Sequence, residues 1–302
     1  MAFSFLLSEL NFFQKDDSLI SSTIGIFTSS PRTNFLILLD TFLRTLPKTF
    51  SKVPTVSRKS LISSEWKDQT SSILHDKELF DYNVFATSNI LSVCWDYLKD
   101  TKLVFAGSCL MFDASKSKIQ TEKTPFKSNS LYVLAKITEN ALVKYYRNKG
   151  LHCSTAILNH ESHRRSSHFM IKQIVSNMVK ISRGEIDSFS LGNIYTKKDW
   201  GYAKEYVEAM YLMAQAKLAD DYIISSGKLH LIKDFIDICA NKLGIDNWGK
   251  YIKMEPQIIS RKFNNQLLGS NLKIQKKLGW KPSVNLKQLI EIMIDNEINN
   301  VR

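Results

Sequence analysis

The sequence predicts an α/β protein built on a parallel sheet. Three observations point there. Short β-rich apolar runs alternate with amphipathic stretches. The run Leu103–Gly107 is apolar and feeds a loop that carries Ser108. The strongly helical stretch that follows sets Tyr132 and Lys136 four residues apart. Taken in order, apolar spacing predicts helices over 3–13, 34–45, 79–99, 130–149, 168–183, 201–218, 231–243 and 285–299. The β-rich runs Thr23–Phe27, Leu103–Gly107, Cys153–Leu158, Phe189–Gly192 and Tyr222–Ser225 fall between some of them. Strand–helix alternation of this kind joins neighbouring strands in parallel. The segment Lys48–Thr70 is polar and Ser-rich and is assigned to no element, and no internal repeat or low-complexity tract is visible.

The 302 residues are 44% hydrophobic and 23% charged. That balance excludes a disordered chain, a collagen-like fibre and a disulfide-dense miniprotein. Lys and Arg number 41 against 29 Asp and Glu, a net charge of +12. Such an excess favours anionic partners such as phosphates, nucleic acid or an acidic surface. A solvated Lys-rich surface accounts for it equally well. Nucleic acid ranks low as a partner, because no recognised motif and no aromatic–basic interleaving accompanies the charge. Cys94, Cys109, Cys153 and Cys239 form no CxxC pair, so they read as reduced, mostly buried thiols of a cytoplasmic protein, with no metal site. His152, His168 and His230 show no metal spacing and read as structural or surface residues. The opening MAFSFLLSELNFF lacks a basic n-region and is interrupted by Glu9. It reads as an amphipathic helix rather than a signal peptide or membrane span.

Tyr132 and Lys136 project from one face of their helix, being four residues apart. A Lys ammonium beside a Tyr hydroxyl favours phenolate, bringing the phenol toward the range in which it takes a proton from a sugar hydroxyl. Ser108, presented from a neighbouring strand end, can hold the same oxygen. YxxxK alone is a weak signal. The order strand, Ser, loop, helix makes it informative.

Further segments carry a resemblance: SLYVLAK, then NHESHRR from Asn159, DWGYAKEYVEAM from Asp199, DDYIISSG and KKLGWKPSVNLKQLI. In this order they resemble the extended short-chain dehydrogenase/reductase family, and within it the GDP-mannose 4,6-dehydratases, from about Asp81 onward. The resemblance implies a Rossmann-like parallel sheet with a smaller C-terminal substrate-binding lobe. It implies a Rossmann-like unit over 1–158, to which 185–220 returns, and a nucleotide-sugar-binding lobe over 159–302. The implied activity is a lyase reaction. GDP-mannose becomes its 4-keto-6-deoxy product through internal NADP redox and loss of water. Tyr132 matches the base, Lys136 the residue that tunes it and touches the nicotinamide ribose, and Ser108 the supporting hydroxyl. Asn159 matches a substrate contact, and His160 and Arg165 match cofactor contacts. The family associates through helix pairs, so a homo-oligomer or a hetero-oligomer with a paralogue is expected, and no membrane partner.

Several positions depart from the family pattern. The loop holding the family's catalytic glutamate aligns with Gly107–Asp113, and the glutamate position is Leu110. Leucine transfers no proton at any pH, so water loss is expected to be impaired. Asp113 and Glu122 are the nearest carboxylates in sequence, neither at the right spacing. No GxxGxxG occurs, and the opening residues resemble the helix that follows such a turn, as though the chain were cut short at its front. Thr28 and Ser29 stand where the family pairs arginines for the 2′-phosphate, with Arg32 close by. Ser260 and Phe263 replace a substrate-binding Arg and Glu, and Lys198 replaces an arginine. These departures favour, as the alternative, a catalytically degenerate homologue that binds a nucleotide sugar or an intact paralogue.

Overall fold

The computed structural model describes residues 25–27, 79–167, 169–254 and 267–300. The expected helices 3–13 and 34–45, the segment Lys48–Thr70, and Thr28, Ser29, Arg32, His168, Ser260 and Phe263 lie outside the described residues.

Among the described residues, strand β1 (Gly25–Phe27) comes first. A π-helical turn, Asp81–Phe85, then runs into α1 (Ala86–Tyr97). The first half continues with β2 (Lys102–Ser108), β3 (Ile119–Gln120), α2 (Leu131–Asn148), β4 (Cys153–Leu158) and β5 (His160–Glu161). Next come α3 (Met170–Ser182), β6 (Phe189–Leu191), β7 (Lys197–Lys198), β8 (Gly201–Tyr202) and α4 (Ala203–Gln215). The chain ends through β9 (Tyr222–Ile224), β10 (His230–Leu231), α5 (Ile232–Leu243), β11 (Ile252–Met254), β12 (Leu268–Gly269), α6 (Leu272–Leu278) and α7 (Leu286–Asn300).

The main sheet has the order β1-β2-β4-β9. β2, β4 and β9 are parallel neighbours, in register from Leu103↔Cys153 to Ser108↔Leu158 and from Ala156↔Tyr222 to Leu158↔Ile224. β1 departs from the expected parallel arrangement by pairing antiparallel with β2, Gly25 opposite Val104. The free N–H and C=O groups of the β2 edge accept a short strand in either direction.

Alternation along β2 divides the core. Leu103 and Phe105 face α1 and α2, packing with Leu91, Cys94 and Val143. Val104 faces the other side, against Tyr206, Ala209 and Met213 of α4 and Ile274 and Trp280 behind them. Helices thus cover both faces of the sheet, which is why β4 reads as the near-continuous apolar run CSTAIL. A separate core joins α3, α5 and α7 through Ile174, Met178, Phe235, Ile236, Ile290 and Met293, all fully buried. The expected strand at Phe189 lies outside the main sheet. It pairs with β11, Phe189 opposite Ile252.

Local chemistry sets the helix ends. Ser130 caps α2 by accepting from the Val133 N–H at 3.3 Å. Gly244 ends α5 in the left-handed region, at φ 67°.

Candidate active site

The strand register builds the site. Ser108 ends β2 directly beside Leu158 at the end of β4, so Asn159 and His160 emerge next to it. These are the carboxyl ends of parallel strands, where doubly wound sheets open a crevice. Ser108 caps the short turn Cys109–Met111, its Oγ accepting from the Leu110 N–H at 3.3 Å. α2 crosses above, and Tyr132 reaches the Ser108 hydroxyl by a hydrogen bond.

Lys136 lies on the buried side of α2. Its Nζ is 2.8 Å from Glu139 Oε2 and donates to the Ala106 carbonyl at 3.3 Å. Glu139 also accepts from Thr87 Oγ1 at 3.2 Å, which ties the pair to the helix in front. Burial alone would lower the pKa of the ammonium. Glu139 and, after it, Tyr132 together more than offset that, and the Lys136 pKa ends above its ordinary value. Tyr132 departs from the expectation of a lowered phenol pKa. Burial raises it, and the Lys136 charge and the Ser108 hydrogen bond offset this only in part, so the net shift is upward. The Glu139 carboxylate adds to the rise.

A cavity of about 340 Å³ opens at this point. Ser108, Tyr132, Lys136, Asn159, His160 and Arg165 all line it, so the fold gathers residues spread over 58 positions of sequence onto one wall. Asn159 Nδ2 donates to the Asp199 carbonyl at 2.6 Å, which fixes the amide and leaves its oxygen free to accept. Arg165 stacks on Phe169, with Cζ 3.5 Å from the ring centroid. Its Nε is buried without a hydrogen-bond partner. Trp200 and Tyr206 are buried against Phe235 and Trp280, and they also form part of the cavity wall. Gly201 is required by close approach, because any Cβ there would overlap the Tyr206 ring.

Residues 70–293 match the family model described as GDP-mannose 4,6 dehydratase. The chain belongs to the GDP-mannose 4,6-dehydratase family. It is 31% identical over 239 residues to GDP-mannose 4,6 dehydratase 1 of Arabidopsis thaliana, covering 78% of this chain and 64% of the relative. It is 32% identical over 223 residues to GDP-mannose 4,6 dehydratase of Homo sapiens, covering 68% of this chain and 60% of the relative. The chain thus spans less than two thirds of the length of these curated relatives. Among solved structures, it resembles RMD from Pseudomonas aeruginosa complexed with NADPH, with a TM-score of 0.67 at 15% identity, covering 86% of this chain and 94% of that one. It also resembles dTDP-glucose 4,6-dehydratase from Bacillus anthracis in complex with NAD, with a TM-score of 0.66 at 17% identity, covering 75% and 70%. These likenesses carry the Rossmann-type fold.

Within the dehydratase family pattern, Leu110 is the informative departure, and the structure puts it on the cavity wall, 38% exposed. Asp113 and Glu122 are not on that wall. Asp113 accepts from Ser115 Oγ at 2.6 Å, and Glu122 accepts from the Ile223 N–H at 3.0 Å. Two wall residues escaped the sequence reading. Lys198, which stands where the family pattern has an arginine, lines the cavity half-buried. Glu161 lines it fully buried, 5% exposed. Its signal in the sequence is its place in NHES, the segment that also carries Asn159 and His160.

Proposed function

We propose that this chain is a nucleotide-sugar lyase of the 4,6-dehydratase type, acting on GDP-mannose or a close relative with a nicotinamide cofactor, NADP first among them. The observation that carries the reading is the convergence of Ser108, Tyr132, Lys136, Asn159, His160 and Arg165 on one cavity. The names of relatives and neighbours support the substrate class and the cofactor class. The remaining assignments of the reading are a cofactor-binding unit over 1–158 with 185–220 returning to it, a sugar-binding lobe over 159–302, a cytoplasmic location, and assembly with another copy or a paralogue.

The described wall fits the nicotinamide end of such a cofactor. An ammonium has three donors, and Lys136 commits two inside the protein, leaving one for a ribose hydroxyl. Arg165 brings a buried Nε–H that makes no hydrogen bond, and His160 also lies on the wall. The cofactor, when bound, supplies the hydride acceptor and donor. Tyr132, with Ser108 holding its oxygen, takes the proton of the sugar 4-hydroxyl as a general base. Asn159 offers its amide oxygen to the substrate. Trp200, Tyr206 and Met210 give the cavity wall an apolar stretch.

Leu110 favours a second reading, a homologue that holds a nucleotide sugar or a paralogue without turnover. Mass spectrometry of GDP-mannose after incubation with purified protein and NADP separates the two. A product lighter by one water is expected. Unchanged substrate from folded protein would overturn the enzyme reading in favour of the second.

A further inference from the structure

We infer that Glu161 carries out the proton transfers of water loss, in place of the carboxylate absent at Leu110. The inference rests on the dehydratase reading above. Elimination across C5–C6 of a 4-keto sugar needs a base for the C5 proton and an acid for the departing C6 hydroxyl. Leu110 offers neither.

Among the described residues lining the cavity, Glu161 is the one carboxylate. The acidic groups nearest to this region are committed elsewhere. Glu139 is held by Lys136 and Thr87. Asp199 accepts from the Ser226 N–H at 3.0 Å, from Ser226 Oγ at 2.5 Å and from the Gly227 N–H at 3.3 Å. Glu205 accepts from Ser283 and Val284. Glu205 Oε2 is also buried without a hydrogen bond, but Glu205 is not on the cavity wall and Glu161 is. The Glu161 Oε2 is buried with no hydrogen-bond partner, although a buried carboxylate oxygen normally has one. The Arg165 Nε lies 3.6 Å away, an ion pair too long for a hydrogen bond.

The backbone fixes the group firmly. β5 pairs with β8 through His160↔Gly201 and Glu161↔Tyr202, two residues beyond Asn159. Burial pushes the Glu161 carboxyl up to about 7, with Arg165 pulling the other way. Both protonation states are then populated near neutral pH, as a group that takes a proton and returns it requires.

The step balances on the 4-keto sugar. The Glu161 carboxylate takes the C5 proton, and the C5–H electron pair passes into the enolate. The enolate pair then forms the C5=C6 bond as the C6–O bond breaks. Glu161, now a carboxylic acid, gives its proton to the leaving hydroxyl. Water departs and the carboxylate is restored.

Glu161→Gln and Glu161→Asp test the assignment in the full chain, by two readouts. Calorimetry of GDP-mannose binding without cofactor is expected to give the same affinity for all three proteins within about twofold. Mass spectrometry with NADP is expected to show the lighter product reduced at least ~100-fold in Glu161→Gln and partly retained in Glu161→Asp. Reduced nicotinamide still forms in a single turnover of Glu161→Gln, because oxidation at C4 does not use the carboxylate. If wild type and Glu161→Gln make the lighter product at the same rate, the assignment fails while the dehydratase reading stands. Loss of GDP-mannose binding in both variants would make Glu161 a structural residue and also overturn the assignment. Wild type without lighter product overturns both readings together.

Discussion

Replacing Glu161 by glutamine is expected to change how stability depends on pH, with no ligand present. Burial moves the carboxyl from its ordinary 4.5 to about 7 in the folded protein. The folded state therefore holds the proton more tightly than the unfolded chain between those two values. Stability that is full at low pH falls as pH rises through this window, and the loss is complete above about 7. Each pKa unit is worth about 1.4 kcal/mol, so the interval corresponds to about 3 kcal/mol. Glutamine does not titrate. Any fixed difference in packing between the two side chains cancels when the same pair is compared at two pH values. Urea unfolding of both proteins at pH 4.5 and pH 8 measures the effect. The variant should gain about 3 kcal/mol on wild type between the two conditions, with similar m-values. A gap that stays constant within about 0.5 kcal/mol across this range would refute the burial argument.

Other substitutions probe the remaining parts of the site and its supports. Tyr132→Phe should lower turnover by about 10²- to 10⁴-fold in a product assay while leaving the far-ultraviolet dichroism unchanged. Asp221→Ala should cost about 3–5 kcal/mol in chemical denaturation, because it leaves Arg147, Asn140 Nδ2 and the Thr155 N–H without their shared buried acceptor. Gly201→Ala should cost about 1–3 kcal/mol by the same assay, as the new methyl meets the fully buried Tyr206. Burial raises all four thiols, Cys94 and Cys109 to about 11 and Cys153 to about 12. Native protein at pH 8 should therefore label slowly with a thiol reagent, and denaturant should release all four groups.

Much of this fold is legible in sequence where burial imposes a period. CSTAIL is buried from Cys153 through Ile157 and is a strand at the predicted bounds. α2 announces itself by Ser130 at its cap and by the buried face through Val133, Lys136, Asn140 and Val143. The two-residue strands β3, β5, β7, β8, β10 and β12 carry no period, since two residues cannot display one, and only long-range pairing defines them. α6 is a seven-residue helix with a single buried residue, Ile274, too short to write an amphipathic pattern. The candidate site divides in the same way. Ser108, Tyr132 and Lys136 follow from the order strand, loop, helix. The role of Glu161 emerges from its surroundings, because a buried oxygen with no hydrogen bond, 3.6 Å from the Arg165 Nε, is a property of neighbours that the fold brings together.

The same logic explains why Tyr132 is a poorer base than its motif suggests. A lysine four residues along a helix stabilises a phenolate in proportion to the positive charge it delivers. Here Glu139 lies on the same helix face, 2.8 Å from that ammonium, and Thr87 and the Ala106 carbonyl complete a buried chain of contacts across α1, α2 and β2. The chain keeps Lys136 protonated and in place, which a ribose-binding group needs. The neighbouring carboxylate also screens the lysine from Tyr132, and burial then sets the direction of the phenol's shift. Positional order and base strength are therefore opposed in this site. Removing the Glu139 charge should lower the Tyr132 pKa and loosen Lys136 together, because one ion pair governs both.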